Sequence, residues 1–417
     1  MKKVAIIGGG ASGLFTAICL KKASKDLDVV VLERLERVGK KILSTGNGKC
    51  NFSNIHVSPD KYSDPYFVSL FLDELTPTKL CDMLSELGLM YRVDNEGRIY
   101  PYSETANSFL DVLRNTIKSM QITEKCNFEV NKIHYKDNKF IIENTRKQTV
   151  EADYVVLATG GKASPVLGSN GSGYTLLKPW KVKITDTIPG LVGIKVEKDE
   201  ITGLSGIRYK AKVSLVDKKA KQKVYEESGE VQFKDDGVSG IVIMQMASMI
   251  ARSNIVKSHS NYYLELDLLP DLTDDELINK LMMRKKTYKG FETMDYFSGI
   301  FPKVLGLLLL KKAKIDLSKH VEDITNKEIV KLSSIIKSFV LTYKETYGFD
   351  RAQVTIGGID LGEIHKGNLS IKKIPHMYAC GEVMDIDGEC GGYNMHWAFT
   401  SGYIVAKNII KECEING

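Results

Sequence analysis

The first fifteen residues, MKKVAIIGGGASGLF, constrain the fold more strongly than any other stretch of the chain. A short apolar run ends at Gly8, and glycines recur at Gly10 and Gly13 before a helix-like run. In this spacing the first glycine permits a tight turn, the second lets backbone approach a pyrophosphate, and the third lets the helix pack on the strand. The opening therefore predicts a strand, a dinucleotide-binding turn and a helix.

A second apolar run, residues 29–32, ends in Glu33, twenty residues after Gly13. An acid at this distance accepts a hydrogen bond from a ribose 2′-hydroxyl in dinucleotide-binding folds. The residues at the start of the helix, Ala11 and Ser12, would offer free N–H groups and the positive end of the helix dipole to the pyrophosphate. The alternative is a glycine-rich turn that binds nothing, and the presence of Glu33 argues against it.

Length and composition exclude several classes of protein. A chain of 417 residues is too long for one simple core, so we expect two or three domains. No apolar run approaches the roughly 20 residues that a membrane span needs, and the first strand starts too early for a signal peptide. Seven cysteines without a C-x-x-C pair favour a reducing compartment, so we expect a cytoplasmic protein. No metal site is predicted.

The net charge of +6 is mildly basic. It fits an ordinary solvated surface, and it also fits an anionic partner such as a nucleic acid. Two stretches concentrate the cations, one from Arg208 to Lys223 and one from Lys280 to Lys314, and the second contains aromatic residues. Basic residues interleaved with aromatics suit RNA, although helices and hairpins also carry such charge for solubility.

The segment after Glu33, RLERVGKKILSTGNGKCNFSN, is rich in Gly, Ser, Thr, Asn and Lys and reads as a basic loop. A loop that follows the ribose-binding strand could wrap the cofactor, with lysines near phosphates and small residues near a flat ring; the alternative is a solvated surface loop. The predicted cofactor-binding residues of this segment are Arg34, Lys40, Lys41, Thr45, Gly46, Asn47, Gly48, Cys50 and Asn51.

Four blocks of the sequence resemble one flavoprotein family. They are GGGASGL, GKKILSTGNGKCNFSN, ATGGKASPVLGSNGSGY and GEVMDIDGECGGYNMHWAFTSG. They resemble, in order and over essentially the whole chain, the BaiN-like NAD(P)/FAD-dependent oxidoreductases, often called aminoacetone-oxidase-family FAD enzymes. The first block and the ATGG are shared by many flavoproteins. The family usually has Arg before the cysteine, whereas this chain has Lys49, which offers only a point charge.

The resemblance implies an α/β fold with a Rossmann-like, glutathione-reductase-type FAD-binding domain in two parts, residues 1–190 and 347–417. Residues 191–346 would form an inserted β-barrel-like domain with a helical subdomain. Short alternating runs from Lys195 to Glu230, broken by charged turns, also favour antiparallel β structure there. A second glycine cluster, GSNGSGY, lacks a following acid, so no separate NAD(P)H domain is predicted and the nicotinamide would dock transiently near the flavin.

The resemblance also implies a set of FAD-contacting residues outside the opening turn. The implied positions are Val130 near the adenine, Ala158, Thr159, Gly160 and Gly161 beside the pyrophosphate, Gly357 beside the flavin, and Gly381, Glu382 and Asp385 near the ribityl chain. The turn before the final helix has two glycines, so its N–H groups can face the N1–C2=O edge of the flavin. This predicts contacts from Gly391, Gly392, Tyr393 and Asn394.

The implied activity is reduction of an activated C=C bond with NAD(P)H as electron donor. Relatives of this family are associated with dehydro bile acids and with uridine in ribosomal RNA, and the basic stretches favour the RNA. Alternatives are a bile acid or steroid enone, amine oxidation of the aminoacetone type with O₂, and a non-catalytic FAD-binding module. Candidates for the proton donor are Cys50, Tyr393 and His396, with Cys390 as a further alternative.

Overall fold

The computed structural model describes residues 2–253 and 262–415. The chain forms two compact units, one of Met1–Gly190 with Phe349–Gly417 and one of Leu191–Gly348. The first is called the cofactor unit and the second the insert unit. Among the described residues, none of the helices has the length and apolar character needed to cross a lipid bilayer.

The described part of the chain contains 19 strands, of which five form a parallel sheet and the others have antiparallel partners. In chain order they are β1 (Lys3–Ile7), β2 (Asp28–Leu32), β3 (Ser53–Asn54), β4 (Tyr91–Val93), β5 (Arg98–Pro101), β6 (Thr123–Lys125), β7 (Val130–Lys136), β8 (Lys139–Asn144), β9 (Thr149–Ala152), β10 (Tyr154–Leu157), β11 (Ile188–Gly190), β12 (Ile194–Val196), β13 (Arg208–Asp217), β14 (Gln222–Phe233), β15 (Gly237–Ser239), β16 (Tyr262–Asp267), β17 (Phe339–Thr346), β18 (Val354–Ile356) and β19 (Met377–Ala379).

The α-helices follow the apolar periodicity of the sequence. They are α1 (Ala11–Ala23), α2 (Pro65–Ser69), α3 (Pro77–Glu86), α4 (Ala106–Ser119), α5 (Ser172–Leu176), α6 (Ile241–Arg252), α7 (Asp274–Thr287), α8 (Lys303–Ala313), α9 (Asn326–Lys337) and α10 (Tyr393–Ile415). Threonine side chains cap the N-termini of α3, α4, α7 and α9, and in α7 and α9 a glutamate completes a capping box. These caps satisfy N–H groups that the first helical turn leaves free.

The cofactor unit is built on a five-stranded parallel sheet in the order β19-β10-β1-β2-β6. The central strand, β1, pairs in register with β2 and β10, so that Val4 lies beside Val29 and Tyr154. The last four residues of β1 are buried, as expected where both faces of a parallel sheet are covered. Helix α1 connects β1 to β2 and packs against α10, which brings the two ends of the chain together.

The insert unit contains a closed antiparallel barrel in the order β12-β15-β14-β13-β16-β17. Helix α6 packs on β14. Helices α7 and α8 each pack on α9, which also packs against β16 and β17. The prediction of a Rossmann-like domain with a β-barrel-like insert and helices is therefore confirmed. The helix predicted from Gly13 onwards is present as α1, and the final helix begins at Tyr393.

Candidate functional site

The opening turn contains three glycines whose surroundings differ. Gly8 has a φ of +109°, and a Cβ there would lie 2.3 Å from the Ala158 carbonyl oxygen. A Cβ at Gly13 would lie 2.0 Å from the Gly8 carbonyl oxygen, so the helix can approach the turn only without a side chain. A Cβ at Gly10 would meet nothing within 4 Å. Gly8 and Gly13 are therefore required by packing, whereas the space at Gly10 is open.

The open space at Gly10 lies at the N-terminus of α1. Gly10 is the N-cap, no side chain caps the helix, and the first turn contains no acidic residue. The N–H groups of the first turn, at Ala11, Ser12 and Gly13, thus have no intrahelical acceptor. Free N–H groups, the positive end of the helix dipole and an open space together fit a pyrophosphate.

Glu33 lies at the end of β2 and is almost completely buried. One carboxylate oxygen accepts the N–H of Gly9 at 2.9 Å and the other accepts the N–H of Leu35 at 2.8 Å. A carboxylate has about four lone-pair positions, so each oxygen can still accept a ribose hydroxyl. The N–H of Phe128 donates to the Glu33 carbonyl at 2.9 Å, which brings the start of β7, at Val130, to this part of the unit.

The basic loop after Arg34 folds into a short 3₁₀ segment, Lys40–Gly48. Thr45, Gly46 and Asn47 interrupt its helical geometry, and the Thr45 carbonyl accepts the N–H of Cys50 at 3.0 Å. Arg34 donates weakly to the Gly168 carbonyl at 3.4 Å. The loop is therefore an ordered surface of small residues.

Lys41 fixes this loop to the end of the parallel sheet. Its Nζ lies 2.7 Å from Glu382 Oε2, and Glu382 Oε1 accepts the N–H of Thr355 at 3.0 Å. The Thr355 hydroxyl in turn accepts the N–H groups of Lys162 and Ala163. Lys41, Glu382 and Thr355 thus hold four segments together, namely the loop, the segment after β10, strand β18 and the segment after β19.

The departure from the family pattern, Lys49, is exposed and lies 2.6 Å from Glu104. Glu104 also contacts Arg92 at 3.2 Å. Lys49 therefore makes a point-charge contact at the surface, in agreement with the absence of a planar guanidinium at this position.

The turn before α10 is built against the loop that contains Asn51. A Cβ at Gly392, whose φ is +98°, would lie 2.4 Å from the Ser53 carbonyl oxygen and 2.7 Å from Asn51 Oδ1. Asn54 donates from Nδ2 to the Gly391 carbonyl at 3.0 Å. Asn51 is buried, and its Oδ1 has no hydrogen-bond partner. A buried acceptor without a partner is costly, so this atom fits a ring N–H of a bound cofactor.

Several predicted contact residues have side chains or backbone already engaged. Both ends of the Asn394 amide bind the Gly388 backbone, each at 2.8 Å, so this side chain closes the turn. Asp385 accepts the Thr185 hydroxyl at 2.8 Å. The N–H of Gly381 donates to the Ser401 hydroxyl at 2.9 Å. Gly357 lies just after β18, and the segment from Ala158 to Gly161, with Thr159 and Gly160, follows β10 at the end of the sheet.

The chain is similar in sequence to one protein family and to several known proteins. Residues 2–408 match the family model described as HI0933-like protein Rossmann domain. The chain belongs to this family. It is 32% identical over 409 residues to 3-dehydro-bile acid delta(4,6)-reductase of Clostridium scindens, covering 98% of each chain. It is 26% identical over 411 residues to ribosomal RNA dihydrouridine synthase of Escherichia coli, covering 97% of each.

Among solved structures, the chain is similar to FrdA of E. coli quinol fumarate reductase. The match covers 100% of this chain and 72% of the other with a TM-score of 0.51 and 15% identity, which shows a shared fold. As a member of the HI0933-like family, the protein is an FAD-dependent oxidoreductase. The uncapped helix α1, the open space at Gly10, Glu33 and the unpartnered Asn51 Oδ1 all fit FAD.

The three predicted proton donors differ in accessibility. Cys50 and His396 are completely buried, so neither side chain reaches a surface that a substrate could contact. Burial raises the pKa of the Cys50 thiol to about 12 and lowers the pKa of the His396 imidazole to about 4. His396 Nδ1 lies 2.9 Å from the Ser53 hydroxyl. Tyr393 is also buried, with 6% of its surface exposed, and burial raises the pKa of its phenol while nearby Lys61 opposes this.

Ser53 and Asn54, which support His396 and the Gly391 turn, are not among the predicted site residues. Their signal is their place at the end of the GKKILSTGNGKCNFSN block, but their contacts with residues more than 330 positions away depend on the fold. Among residues 2–253 and 262–415, no group of three or more His, Cys, Asp or Glu side chains is arranged to hold a metal ion.

The first cation-rich stretch of the insert unit differs from the expectation. In the sequence only Asp217 interrupts the cations from Arg208 to Lys223, but carboxylates of β14 lie opposite them in the sheet. Arg208 contacts Glu230 at 3.4 Å, and Glu226 contacts both Lys212 at 2.5 Å and Lys223 at 2.9 Å. Arg208, Lys212 and Lys223 are therefore paired with carboxylates within the unit.

Proposed function

We propose that this protein reduces a C=C bond conjugated to a carbonyl, with uridine in ribosomal RNA as its substrate and NAD(P)H as its electron donor. The names of two relatives support the reaction class, because a 3-dehydro-Δ4,6 bile acid and uridine both contain an alkene conjugated to a carbonyl. The observation that carries the proposal is the combination of an FAD-fitting cradle in the cofactor unit with a cation-rich helical segment in the insert unit.

In the proposed reaction, Glu33 holds the ribose, the N-terminus of α1 holds the pyrophosphate, and Asn51 with the Gly391–Gly392 turn holds the flavin ring. Bound FAD, once NAD(P)H had reduced it by two electrons, would supply a hydride to the β carbon of the substrate. The chain must supply a proton to the α carbon. We assign this step to the Tyr393 phenol, because an ordinary tyrosine is already protonated at neutral pH and burial raises the pKa of this one further. Lys61, which lies near this phenol, would stabilise the phenolate that remains.

The preference for RNA is supported by charge. Residues 280–289 contain five cations and no carboxylate within the segment itself. A cationic surface raises the affinity for a phosphate backbone.

The test is deletion of the gene followed by mass spectrometry of nucleosides from ribosomal RNA. We expect dihydrouridine to be lost and to return when the wild-type gene is restored. A Tyr393→Phe gene should restore little of it, although the purified variant should still be reduced by NAD(P)H as fast as wild type. An unchanged nucleoside profile after deletion would overturn the RNA assignment.

A second candidate is reduction of a bile acid or steroid enone, which the 32% identity to the C. scindens reductase favours. In this case NAD(P)H would bleach the purified flavoprotein and a 3-oxo-Δ4,6 steroid would restore its colour under nitrogen. Peroxide production from aminoacetone in air would instead indicate an amine oxidase. A protein that gave none of these turnovers would be a binding module.

A further inference from the structure

The end of α7 and the turn that follows it form a cationic surface of the insert unit. The five cations of residues 280–289 are Lys280, Arg284, Lys285, Lys286 and Lys289. Of these, Lys280, Lys286 and Lys289 are exposed. The helix dipole places its negative end at this terminus, so the lysines of the last turn are also favourable for the helix itself.

Arg284 packs over the Tyr288 ring, which in turn contacts the Phe291 ring at a tilt of 44°; the three side chains are here called the Arg284 stack. The guanidinium carbon of Arg284 lies 3.9 Å from the centre of the Tyr288 ring. The Tyr288 and Phe291 ring centres are 5.1 Å apart. Arg284 also donates to the carbonyl oxygens of Tyr296 and Ser298, which hold the guanidinium in place. Phe291 is 52% exposed.

The backbone that presents Phe291 is fixed on both sides. The N–H of Gly290 donates to Glu322 Oε2 at 2.7 Å. The Phe291 carbonyl accepts the N–H of Val321 at 2.9 Å, and the Phe291 N–H donates to the Tyr288 carbonyl at 3.1 Å. An apolar ring of this size is normally buried, and holding it in solvent on a rigid turn lowers the entropy lost when a partner binds.

The carboxylates near the stack compensate only part of the charge. Glu276 interacts electrostatically with Lys280, Glu322 with Lys289 and Glu328 with Lys285. One oxygen of Glu322 accepts the Gly290 N–H, and one oxygen of Glu328 accepts both the N–H and the hydroxyl of Thr325. Glu322 and Glu328 therefore each accept a backbone N–H group and also interact with a lysine.

We propose that the Arg284 stack is a docking site for a single-stranded segment of RNA, with a base on the exposed face of Phe291 and phosphates at Lys286 and Lys289. A flat aromatic face with cations beside it matches the alternation of base and phosphate in a single strand. The choice of RNA as partner rests on the proposed function. The presence of an exposed aromatic ring with cations beside it does not depend on that function.

The experiment measures binding of a fluorescein-labelled uridine dodecamer to the full-length FAD protein by fluorescence anisotropy at several salt concentrations. Phe291→Ala should weaken binding about tenfold, because one stacked base is lost. The double variant Lys286→Glu, Lys289→Glu should weaken binding at least as much. Because two phosphate contacts are lost, log affinity should fall less steeply with log salt, the magnitude of the slope decreasing by about 1.4. The matched controls are Val224→Ala, an exposed valine on β14, and Lys198→Glu, an exposed lysine outside the barrel strands. Both controls should bind within twofold of wild type.

The same variants are then tested for dihydrouridine in ribosomal RNA of complemented deletion cells, which separates this proposal from the proposed function. If wild type binds and modifies RNA but Phe291→Ala and the double lysine variant equal the controls, the docking site is overturned and the proposed function stands. If wild type modifies no RNA but still binds the dodecamer through Phe291, the proposed function fails and the docking surface stands. If wild type does not bind the dodecamer, the docking site is overturned.

Discussion

The opening turn of the cofactor unit and the β13–β14 hairpin of the insert unit are both conspicuous in the sequence, but they depend on different physics. At the turn, the positions of Gly8 and Gly13 are fixed by contacts under 2.5 Å that any Cβ would make with backbone. In the hairpin, the run of cations is paired with carboxylates on the neighbouring strand. A backbone constraint is visible in local spacing, whereas the net charge of a surface depends on which strands are neighbours.

The largest expected effect sharpens the first half of this comparison. Gly13→Ala should destabilise the protein by about 3 kcal/mol or more, because its Cβ would collide with the Gly8 carbonyl and backbone cannot move away cheaply. Gly10→Ala should leave the melting temperature of the apoprotein unchanged, because its Cβ meets open space. FAD titration of Gly10→Ala should nevertheless show at least a tenfold loss of affinity, since we expect the pyrophosphate to occupy that space. A Gly10→Ala protein with wild-type FAD affinity would contradict this assignment.

A smaller effect concerns His396, which lies under the closing turn. Burial lowers the pKa of its imidazole to about 4, so the unfolded chain takes up a proton first as the pH falls. The stability contributed by neutral His396 is present above pH 6.5 and is lost progressively as the pH falls towards 4. The total is about 3 kcal/mol, of which part is lost between pH 7 and pH 5. Urea unfolding at these two pH values should show a weaker pH dependence for His396→Gln, and an unchanged dependence would exclude His396 as its source.

The smallest effect concerns the hairpin. Lys212 and Glu226 are partly exposed, and exposed ion pairs are weak because solvent screens them. A double-mutant cycle of Lys212→Met and Glu226→Gln should give a coupling free energy below about 1 kcal/mol, falling further in high salt. A coupling above about 2 kcal/mol, measured by urea unfolding, would mean that the hairpin depends on its charges as strongly as the turn depends on its glycines.

The sequence indicated the parallel sheet, the position of α1 and the place of Glu33 at the end of β2, because strand and helix periodicity and glycine spacing are local properties. The role of Glu33 in binding a ribose stays a prediction. It also indicated the β-barrel insert through alternation and turn residues. It placed Lys41 and Glu382 in one site only through a family resemblance. That these two side chains form an ion pair across 341 positions could not be read from either segment alone.

By itself, then, the sequence determined that backbone at the start of the chain must form a nucleotide-binding turn, because only glycine fits at Gly8 and Gly13. The tertiary structure decided which polar atoms remain available: it engaged Asn394 within its own turn, buried Cys50 and His396, and left Asn51 Oδ1 without a partner. The physical reason is that burial and hydrogen bonding are set by neighbours distant in the chain, whereas backbone conformation is restricted by the residue itself.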